Sequence, residues 1–418
     1  MSVAASAPAP EKQANPMVYA YLSVIAVLFM SPGTVVNTPL QFIYKNELHL
    51  QADQTAIFKL IINGPGLVAF LWGICRDRYN PLRMGDRGFM LVFGAAGGLV
   101  FLAMAFAPLT VYTLGACLIL WGIALGLVGA AYQAIMRNLA EKRQMSGRMS
   151  TAYNLLSSAV PALMLIVGGW ATDHMSWRVL LVAIGLSYFL LAAAGFWRPA
   201  EVFDDLPSGG HRSFAEMGRE AKQLLRHRGY WVAVAIWAVW AFSPAGPTPL
   251  MYFLTNTLKM NGTQYSLFNS IYNIAFFPTV LLFGLLCKRF SLWSLLLWAT
   301  VIGIPQWMPL VFIHSIPQAF AISALIGLVG GLGNAAYYTV LLRACPEGLA
   351  ATGMLIAASA ALWVVEGGNV LGGFIYKSWG FAGCGIVTTA AYALLLPLCF
   401  LLPRALVRPH DEQVVPQE

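Results

Sequence analysis

Apolar residues fill long segments of the chain, and polar residues collect in short stretches between them. A membrane-spanning helix needs roughly 20 apolar residues, and such runs follow one another from Met17 to Pro403. Because lipid gives backbone groups no hydrogen-bond partners, each run is predicted to be a helix. The pattern predicts an all-α membrane protein with twelve spans, at 17–44, 54–75, 88–108, 112–136, 150–171, 178–197, 230–255, 264–287, 291–313, 318–342, 352–376 and 381–403.

The composition and the charge distribution support this interpretation. The chain is 59% hydrophobic and 10% charged, which leaves too little polar surface for a soluble fold. Basic residues collect in alternate connections, so the positive-inside rule predicts a multi-pass protein of the cell (inner) membrane with both termini in the cytoplasm. The net charge of +8 is spread a few residues per loop, which argues against a nucleic-acid partner. The six cysteines lack metal-ligand spacing, and we expect no metal and no cofactor.

The sequence also contains an internal repeat. It predicts two parallel six-helix halves related by rotation about the membrane normal, a common build of carriers. The expected organisation is a disordered tail at 1–16, a first half at 17–197, a cytoplasmic linker at 198–229, a second half at 230–403 and a tail at 404–418. The clearest matches are Pro39, Asn46, Gln54, Phe58 and Asn63, which recur 210 positions later as Pro249, Asn256, Gln264, Phe268 and Asn273, and Gly168-Gly169-Trp170, which recurs as Gly372-Gly373-Phe374.

Polar residues inside the predicted spans follow helical spacing, one stripe per helix. Such residues are costly in lipid and usually face a cavity or another helix. We therefore predict a wet cavity between the halves, while a simple helix-to-helix hydrogen bond remains the alternative for any one amide. The candidate substrate-binding residues are Asn37, Gln41, Lys59, Asn63, Tyr132, Gln133, Asn154, Trp240, Asn273, Asn334 and Tyr337.

The chain resembles the major facilitator superfamily over essentially its whole length. After span 2, Gly73-Ile74-Cys75-Arg76-Asp77-Arg78 is similar to the G-x-x-x-D-R/K motif of that family, although the residues that follow depart from the pattern. The resemblance implies the major facilitator fold and makes Asp77 and Arg78 residues of a cytoplasmic gate. Positive-inside anchoring explains Arg78 equally well but explains Asp77 poorly.

Two further comparisons concern the substrate. Proton-coupled drug exporters of the superfamily usually carry an Arg inside span 4 and Gly-Pro in span 5; here span 4 is uncharged before Arg137, and no Gly precedes Pro161. The stretch from Cys345 to Thr352 is similar to a motif of folate and biopterin transporters, with Ala350 where an acid is expected. The resemblance suggests a pterin-like or other planar organic anion.

Lys59 and Glu366 are charged residues at membrane depth, where a charge is costly unless it is paired, hydrated or in use. By the family's architecture, spans 2 and 11 face each other, so the two side chains are expected to be close. We predict that Glu366 is protonatable and couples transport to a proton, with Lys59 as its partner or as a group that binds an anionic substrate. A snorkelling lysine and a static glutamate bond are the structural alternative.

Proline and glycine occur at matching positions of spans 1 and 7, which predicts interrupted helices in both. These residues are Pro32, Gly33 and Pro39 in span 1, and Pro244, Gly246, Pro247 and Pro249 in span 7.

The function expected from these observations is secondary active transport of a small organic solute by alternating access, with symport of a proton as the expected coupling. The predicted partners are the solute, protons and the lipid bilayer, with the protein a monomer. A non-transporting assembly factor or sensor built on the same fold is the alternative. An enzyme is disfavoured, because the chain has no H-E-x-x-H motif, no G-x-S-x-G motif and no phosphate-binding loop.

Overall fold

The structure is a computed structural model that describes residues 16–142, 146–203, 219, 222, 227–287, 289–345 and 350–407. Within these ranges the chain is helical apart from short connections, and it contains no strand. Residues 1–15 and 408–418 of the predicted tails, most of the linker, and residues 346–349 of the stretch similar to folate transporters lie outside the described residues.

Twelve spanning helices, numbered α1 to α12, form two halves of six. In the first half they are α1 (Pro16–Phe42), α2 (Ala52–Ile62, Gly64–Leu67 and Ala69–Arg78), α3 (Asp86–Phe106), α4 (Val111–Lys142), α5 (Ser146–His174) and α6 (Trp177–Ala194). In the second half they begin with α7 (Arg228–Ala241 and Pro247–Thr257), α8 (Gly262–Leu286), α9 (Leu292–Gly303 and the 3-10 turn Met308–Phe312) and α10 (Ile316–Ala344).

The last two spans share one helical stretch, Ala350–Ala393, which is broken at Gly380. Gly380 has φ 67° and ψ −169°, a conformation that glycine adopts without steric cost. The break gives α11 at 350–379 and α12 at 381–393, which continues as Leu395–Phe400. A π-helical turn, Ile43–Glu47, extends α1, and the short helices Ala200–Phe203 and Arg404–Val407 follow the two halves.

Successive spans run in opposite directions, so their ends lie on two faces. We call the side of Pro16 and Phe400 the terminal face, because the first described helix begins there and the last span ends there. The other side, where α1, α5 and α7 end, is the distal face. Eight helical stretches are long and apolar enough to cross a membrane, the last of them containing both α11 and α12.

Each half has its own apolar core, and glycines set how closely its helices approach. A Cβ on Gly168 of α5 would lie 2.2 Å from the carbonyl oxygen of Val35 in α1. A Cβ on Gly372 of α11 would lie 2.0 Å from the carbonyl oxygen of Pro244, in the middle of α7. These two contacts occupy equivalent places in the repeat, which confirms that the halves are built alike.

The helix interruptions only partly follow the prediction. The interruption predicted in span 1 is wrong, because α1 is continuous through Pro32 and Pro39. Those prolines are seven residues apart, so each removes one backbone bond and intact turns remain around it. In α7, by contrast, Pro244, Pro247 and Pro249 fall within six residues, and the helix is interrupted between Ala241 and Pro247.

Candidate functional site

The two halves meet along two pairs of helices. In one pair α5 packs along α8, and in the other α2 packs along α11. Hydrogen bonds between the halves occupy the middle and the distal end of these interfaces. Toward the terminal face, Cys75 of α2 and Cys287 at the end of α8 are exposed. The described structure is therefore joined at its distal side.

A polar group of α1 reaches α8 near the distal end of the first interface. Asn37 accepts a hydrogen bond of 2.7 Å from the Gln41 side chain, and the Tyr265 hydroxyl donates to Oε1 of Gln41 at 3.3 Å. Thr38 and Ser266 share a hydroxyl bond of 2.7 Å. Asn37 remains exposed. Two of the predicted binding residues, Asn37 and Gln41, thus lie together where the halves meet.

The second interface contains the charged residues predicted to matter. Nδ2 of Asn63 in α2 donates to Oε1 of Glu366 in α11 at 2.8 Å. Oε2 of Glu366 is buried and has no hydrogen-bond partner among the described residues. Lys59 lies one turn before Asn63, close enough for its charge to act on Glu366. The structure brings Lys59, Asn63 and Glu366 together, and the hydrogen bond to Glu366 comes from Asn63.

The backbone of α2 is interrupted at this point. The first segment of α2 ends at Ile62 and is capped by Asn63, Pro65 follows, and Val68 has φ −111° and ψ 28°, outside the helical region. Nε1 of Trp72 donates to the carbonyl oxygen of Pro65 at 2.8 Å, which satisfies an acceptor exposed by the break. The interruption was not expected from the sequence, and it places Asn63 at a helix end that faces Glu366.

The two interfaces differ in charge although the repeat makes them equivalent. Positions of α2 and α8 correspond at an offset of 210, and those of α5 and α11 at an offset of 204. Lys59 therefore corresponds to Asn269, and Glu366 corresponds to Ala162. In the α5–α8 interface, Ser270 donates to the carbonyl oxygen of Ala162 at 2.9 Å. The fold thus closes one interface without a mid-membrane charge at these positions.

Two charged contacts join the halves at the distal ends of the interfaces. Asp173, at the end of α5, accepts bonds of 2.8 Å from the backbone N–H groups of Gly262 and Thr263, at the start of α8. Lys377 of α11 forms an ion pair of 2.9 Å with Asp53, in the first turn of α2. Asp173 and Lys377 are equivalent positions at the offset of 204. In each contact the carboxylate, of Asp173 or of Asp53, lies at the N-terminus of a helix, where the backbone dipole favours negative charge.

A second set of distal contacts joins α7 to the first half. Tyr252 shares a hydroxyl bond of 2.8 Å with Thr55 and also donates to the carbonyl oxygen of Leu50. Nζ of Lys45 donates to Oγ1 of Thr255 at 2.6 Å. None of these residues was predicted as a functional residue. For the charged distal contacts, the internal repeat is the sequence feature that could have identified the residues, since Asp173 and Lys377 each follow a Gly-Gly pair by four residues.

The predicted gate motif lies at the terminal end of α2. Arg76 forms a bidentate pair with Asp86 of α3, with distances of 2.6 and 2.7 Å. Asn80 accepts a bond of 2.7 Å from the backbone N–H of Gly85 and closes the turn between the helices. Arg78 is exposed, and the side chain of Asp77 lies outside the described residues. The pair in this motif that the structure describes is therefore Arg76 with Asp86.

Tyr132 and Tyr337, predicted to contact substrate, lie in the apolar cores of the two halves. They are 2% and 1% exposed. The Tyr132 hydroxyl donates to the carbonyl oxygen of Leu22 at 3.4 Å, and the Tyr337 hydroxyl shares a bond of 2.9 Å with Thr300. A buried tyrosine needs such a partner for its hydroxyl. In this structure both side chains support the helices rather than line the space between the halves.

Trp240, also predicted to contact substrate, packs inside the second half. Its ring centroid lies 5.0 Å from that of Tyr337 and 5.1 Å from that of Tyr392. A Cβ on Gly333 would come within 2.7 Å of the Trp240 ring, so this glycine makes room for the indole. The geometry assigns Trp240 to the core of its half.

The remaining predicted binding residues are spread over α4, α5, α8 and α10. Asn273 is exposed, and its amide donates to the carbonyl oxygen of Asn269 at 2.8 Å. Gln133 is exposed, Asn334 is half-buried, and the side chain of Asn154 lies outside the described residues.

Comparison with known proteins identifies the fold. Residues 18–254 match the model of the Major Facilitator Superfamily. The chain belongs to this superfamily. No curated protein matches it in sequence.

Several solved structures share this fold at low sequence identity. One is the inward-facing, unoccupied structure of a bacterial homologue of the human lysosomal transporter Spinster, with a TM-score of 0.72, 15% identity, and coverage of 95% of this chain and 98% of the other. Another is the nucleoside transporter NupG, with a TM-score of 0.67, 13% identity, and coverage of 94% and 100%. This superfamily member is a membrane transporter rather than an enzyme, and its twelve helices have the arrangement expected from the repeat.

Proposed function

We propose that the protein is a secondary active transporter that carries a small organic solute by alternating access. The hydrogen bonds between the halves at the distal face support this proposal, because they hold one side of the central space shut. Rocking of the halves would break them and close the terminal side instead. The proposal includes a monomer in the cell (inner) membrane with both termini in the cytoplasm, as the distribution of basic residues indicates.

Proton coupling is assigned to Glu366. The observation that carries this assignment is the bond from Asn63 to Oε1 of Glu366, across the halves, beside a buried Oε2 with no partner among the described residues. A proton can bind at Oε2 without displacing Asn63. Because a buried charge is costly, loss of the carboxylate charge changes the free energy of the α2–α11 interface. Protonation and the rocking of the halves are coupled in this way.

The unequal charges of the two interfaces support the same assignment. Ala162 and Asn269 stand in the α5–α8 interface where Glu366 and Lys59 stand in the α2–α11 interface. Charged groups inside the membrane are energetically costly, and the equivalent interface packs without them. A purely structural role therefore does not explain the presence of Lys59 and Glu366. Transport chemistry explains why one interface retains them.

The substrate is proposed to be a small organic solute, with an organic anion as the favoured class. Lys59 supplies a positive charge beside the interface, and Asn37, Gln41 and Asn273 supply amide groups that can donate and accept hydrogen bonds. Asp77 and Arg78 remain proposed gate residues on the terminal side. Arg78 is exposed there, at the end of α2.

The test is the thermal stability of the purified protein against a library of small metabolites at two pH values. A ligand that binds the folded state raises the melting temperature by mass action. We expect organic anions to raise the melting temperature, by an amount that depends on pH. In Glu366→Gln protein this increase should no longer depend on pH, and in Lys59→Ala protein it should be absent. Glu47→Gln is the control, because it removes the same charge at an exposed site at the distal end of α1. Glu366→Gln protein with an unchanged pH dependence would refute the coupling assignment.

A further inference from the structure

A cluster of buried polar groups lies inside the second half, away from the interface between the halves. Oγ of Ser243, Oε1 of Gln306 and Nε1 of Trp307 are buried and have no hydrogen-bond partner among the described residues. All three side chains lie around the hydroxyl of Tyr392 in α12. Buried polar atoms normally have a partner in the protein or in ordered water.

The cluster lies where two spans are interrupted. Ser243 belongs to the break in α7 between Ala241 and Pro247, and Gln306 and Trp307 belong to the break in α9 between Gly303 and Met308. Backbone groups freed in this way must be satisfied by side chains or by water, because no lipid group can replace the lost bonds.

Side chains from neighbouring helices satisfy part of the broken α7 backbone. The Tyr392 hydroxyl donates to the carbonyl oxygen of Trp240 at 2.9 Å, and Oγ1 of Thr388 accepts from the N–H of Ala245 at 2.9 Å. Oδ1 of Asn369 accepts from the N–H of Thr248 at 3.1 Å. The side chains of α11 and α12 therefore hold α7 across its break. Ser243, Gln306 and Trp307 are left without partners among the described residues, as are the hydroxyls of Thr248 and Thr389.

The first half has fewer surplus polar groups at the same place: among the described residues, only Oγ of Ser31 in α1 is buried there without a hydrogen-bond partner. The Tyr188 hydroxyl in α6 accepts a bond of 2.8 Å from Nε1 of Trp121. A Cβ on Gly33 of α1 would lie 3.8 Å from that hydroxyl, and the Ser31-Pro32 pair just before it matches Ser243-Pro244 in the repeat. There the tyrosine is satisfied by one tryptophan, and α1 is unbroken.

The unpartnered groups determine which ligand fits. Nε1 of Trp307 can only donate a hydrogen bond, and Oε1 of Gln306 can only accept one. A metal cation would face the Trp307 N–H, and an anion would face the Gln306 oxygen, so neither suits the cluster. A water molecule accepts from one, donates to the other, and has a second proton for Ser243 or Tyr392. Three such bonds are typical of a buried water.

We propose that the cluster formed by Ser243, Gln306, Trp307 and Tyr392 is a binding site for ordered water, which bridges the breaks in α7 and α9. This site is independent of the proposed transport chemistry. It makes the second half wetter than the first at this place, and it lets the two segments of α7 change angle without leaving backbone groups unsatisfied.

X-ray hydroxyl-radical footprinting with mass spectrometry tests the site, because X-rays generate radicals from bound water inside a protein. Tyr392 and Tyr188 form a matched pair, since both are 2% exposed. A bulk radical scavenger suppresses labelling from solvent. We expect Tyr392 to be labelled severalfold faster than Tyr188 with the scavenger present, and equal rates would overturn the proposal.

A variant shows which groups hold the water. Gln306→Met with Trp307→Phe removes the acceptor and the donor and leaves an apolar side chain at each position, and the rate at Tyr392 is expected to fall toward that at Tyr188. An unchanged ratio in folded variant protein would also overturn the proposal. If the variant does not fold, the comparison of the two tyrosines in the unaltered protein decides.

Discussion

Asp173, at the end of α5, caps the first turn of α8 in the other half of the molecule, where its carboxylate accepts bonds from both the backbone N–H and the hydroxyl of Thr263. A helix N-terminus has N–H groups without partners inside the helix. Here Asp173 of the first half supplies the hydrogen-bond acceptor for the first turn of α8 in the second half. These bonds fasten the start of α8 to the first half.

Replacing Asp173 by Ala should weaken distal closure. Loss of hydrogen bonds to a charged group typically costs about 1.5–3 kcal/mol, and that cost falls on the state in which the halves are joined. We expect a longer mean distance between spin labels at Glu47 and Thr257, measured by double electron–electron resonance in protein whose exposed Cys75 and Cys287 are serine. Asp173→Asn should have a smaller effect, because its amide oxygen still accepts. Identical distance distributions for all three proteins would contradict the role of Asp173 in closure.

The Lys377–Asp53 pair should contribute less. The Lys377 side chain is 56% exposed, so solvent screens its attraction to Asp53. A double-mutant cycle with Lys377→Gln and Asp53→Asn is expected to give a coupling of about 0.2–1 kcal/mol, in the range of exposed pairs. High salt should reduce the coupling further. A coupling larger than the effect of Asp173→Ala would show that this ranking is wrong.

Gly169 and Gly373 should tolerate no side chain while the distal side is joined. A Cβ on Gly169 would lie 2.4 Å from Cβ of Ser266, and one on Gly373 would lie 2.8 Å from Cα of Asp53. Overpacking of this kind costs about 1–3 kcal/mol. Gly169→Ala and Gly373→Ala are each expected to lengthen the Glu47–Thr257 distance. Gly64→Ala is the control, since nothing lies within 4 Å of the added methyl, and it should leave the distance unchanged.

Tyr337→Phe should lower stability without changing the affinity for the solute. The substitution removes the hydroxyl bond to Thr300 inside the core, at a cost of about 1 kcal/mol. The melting temperature should fall, while the dissociation constant for a ligand found in the thermal screen stays the same. A weaker affinity with an unchanged melting temperature would instead place Tyr337 in the substrate site.

The sequence predicts the helices and the repeat well because both depend on long-range composition and spacing. It also predicts that Lys59 and Glu366 are close, since charged residues in lipid need partners and the family architecture pairs α2 with α11, but it does not predict the bond from Asn63 to Glu366. It does not predict that Tyr337 is buried in the core of its half, because a tyrosine in a polar stripe satisfies its hydroxyl equally well inside a half.

Helix interruptions are harder to predict than helices. Two prolines leave α1 continuous, whereas one proline, Pro65, accompanies a break in α2. In α2 the indole of Trp72 bonds the carbonyl group of Pro65, which the break frees. The presence of a proline therefore does not by itself determine whether its helix is interrupted.

The bond between Lys45 and Thr255 has a geometric consequence, because these two positions are 210 apart and are therefore copies of each other in the repeat. In an arrangement with twofold pseudosymmetry, a residue can touch its own copy only close to the rotation axis. The axis therefore passes between Lys45 and Thr255 and marks the centre of the distal mouth. A single probe attached there would be equidistant from both halves and would report the motion of either with the same sensitivity.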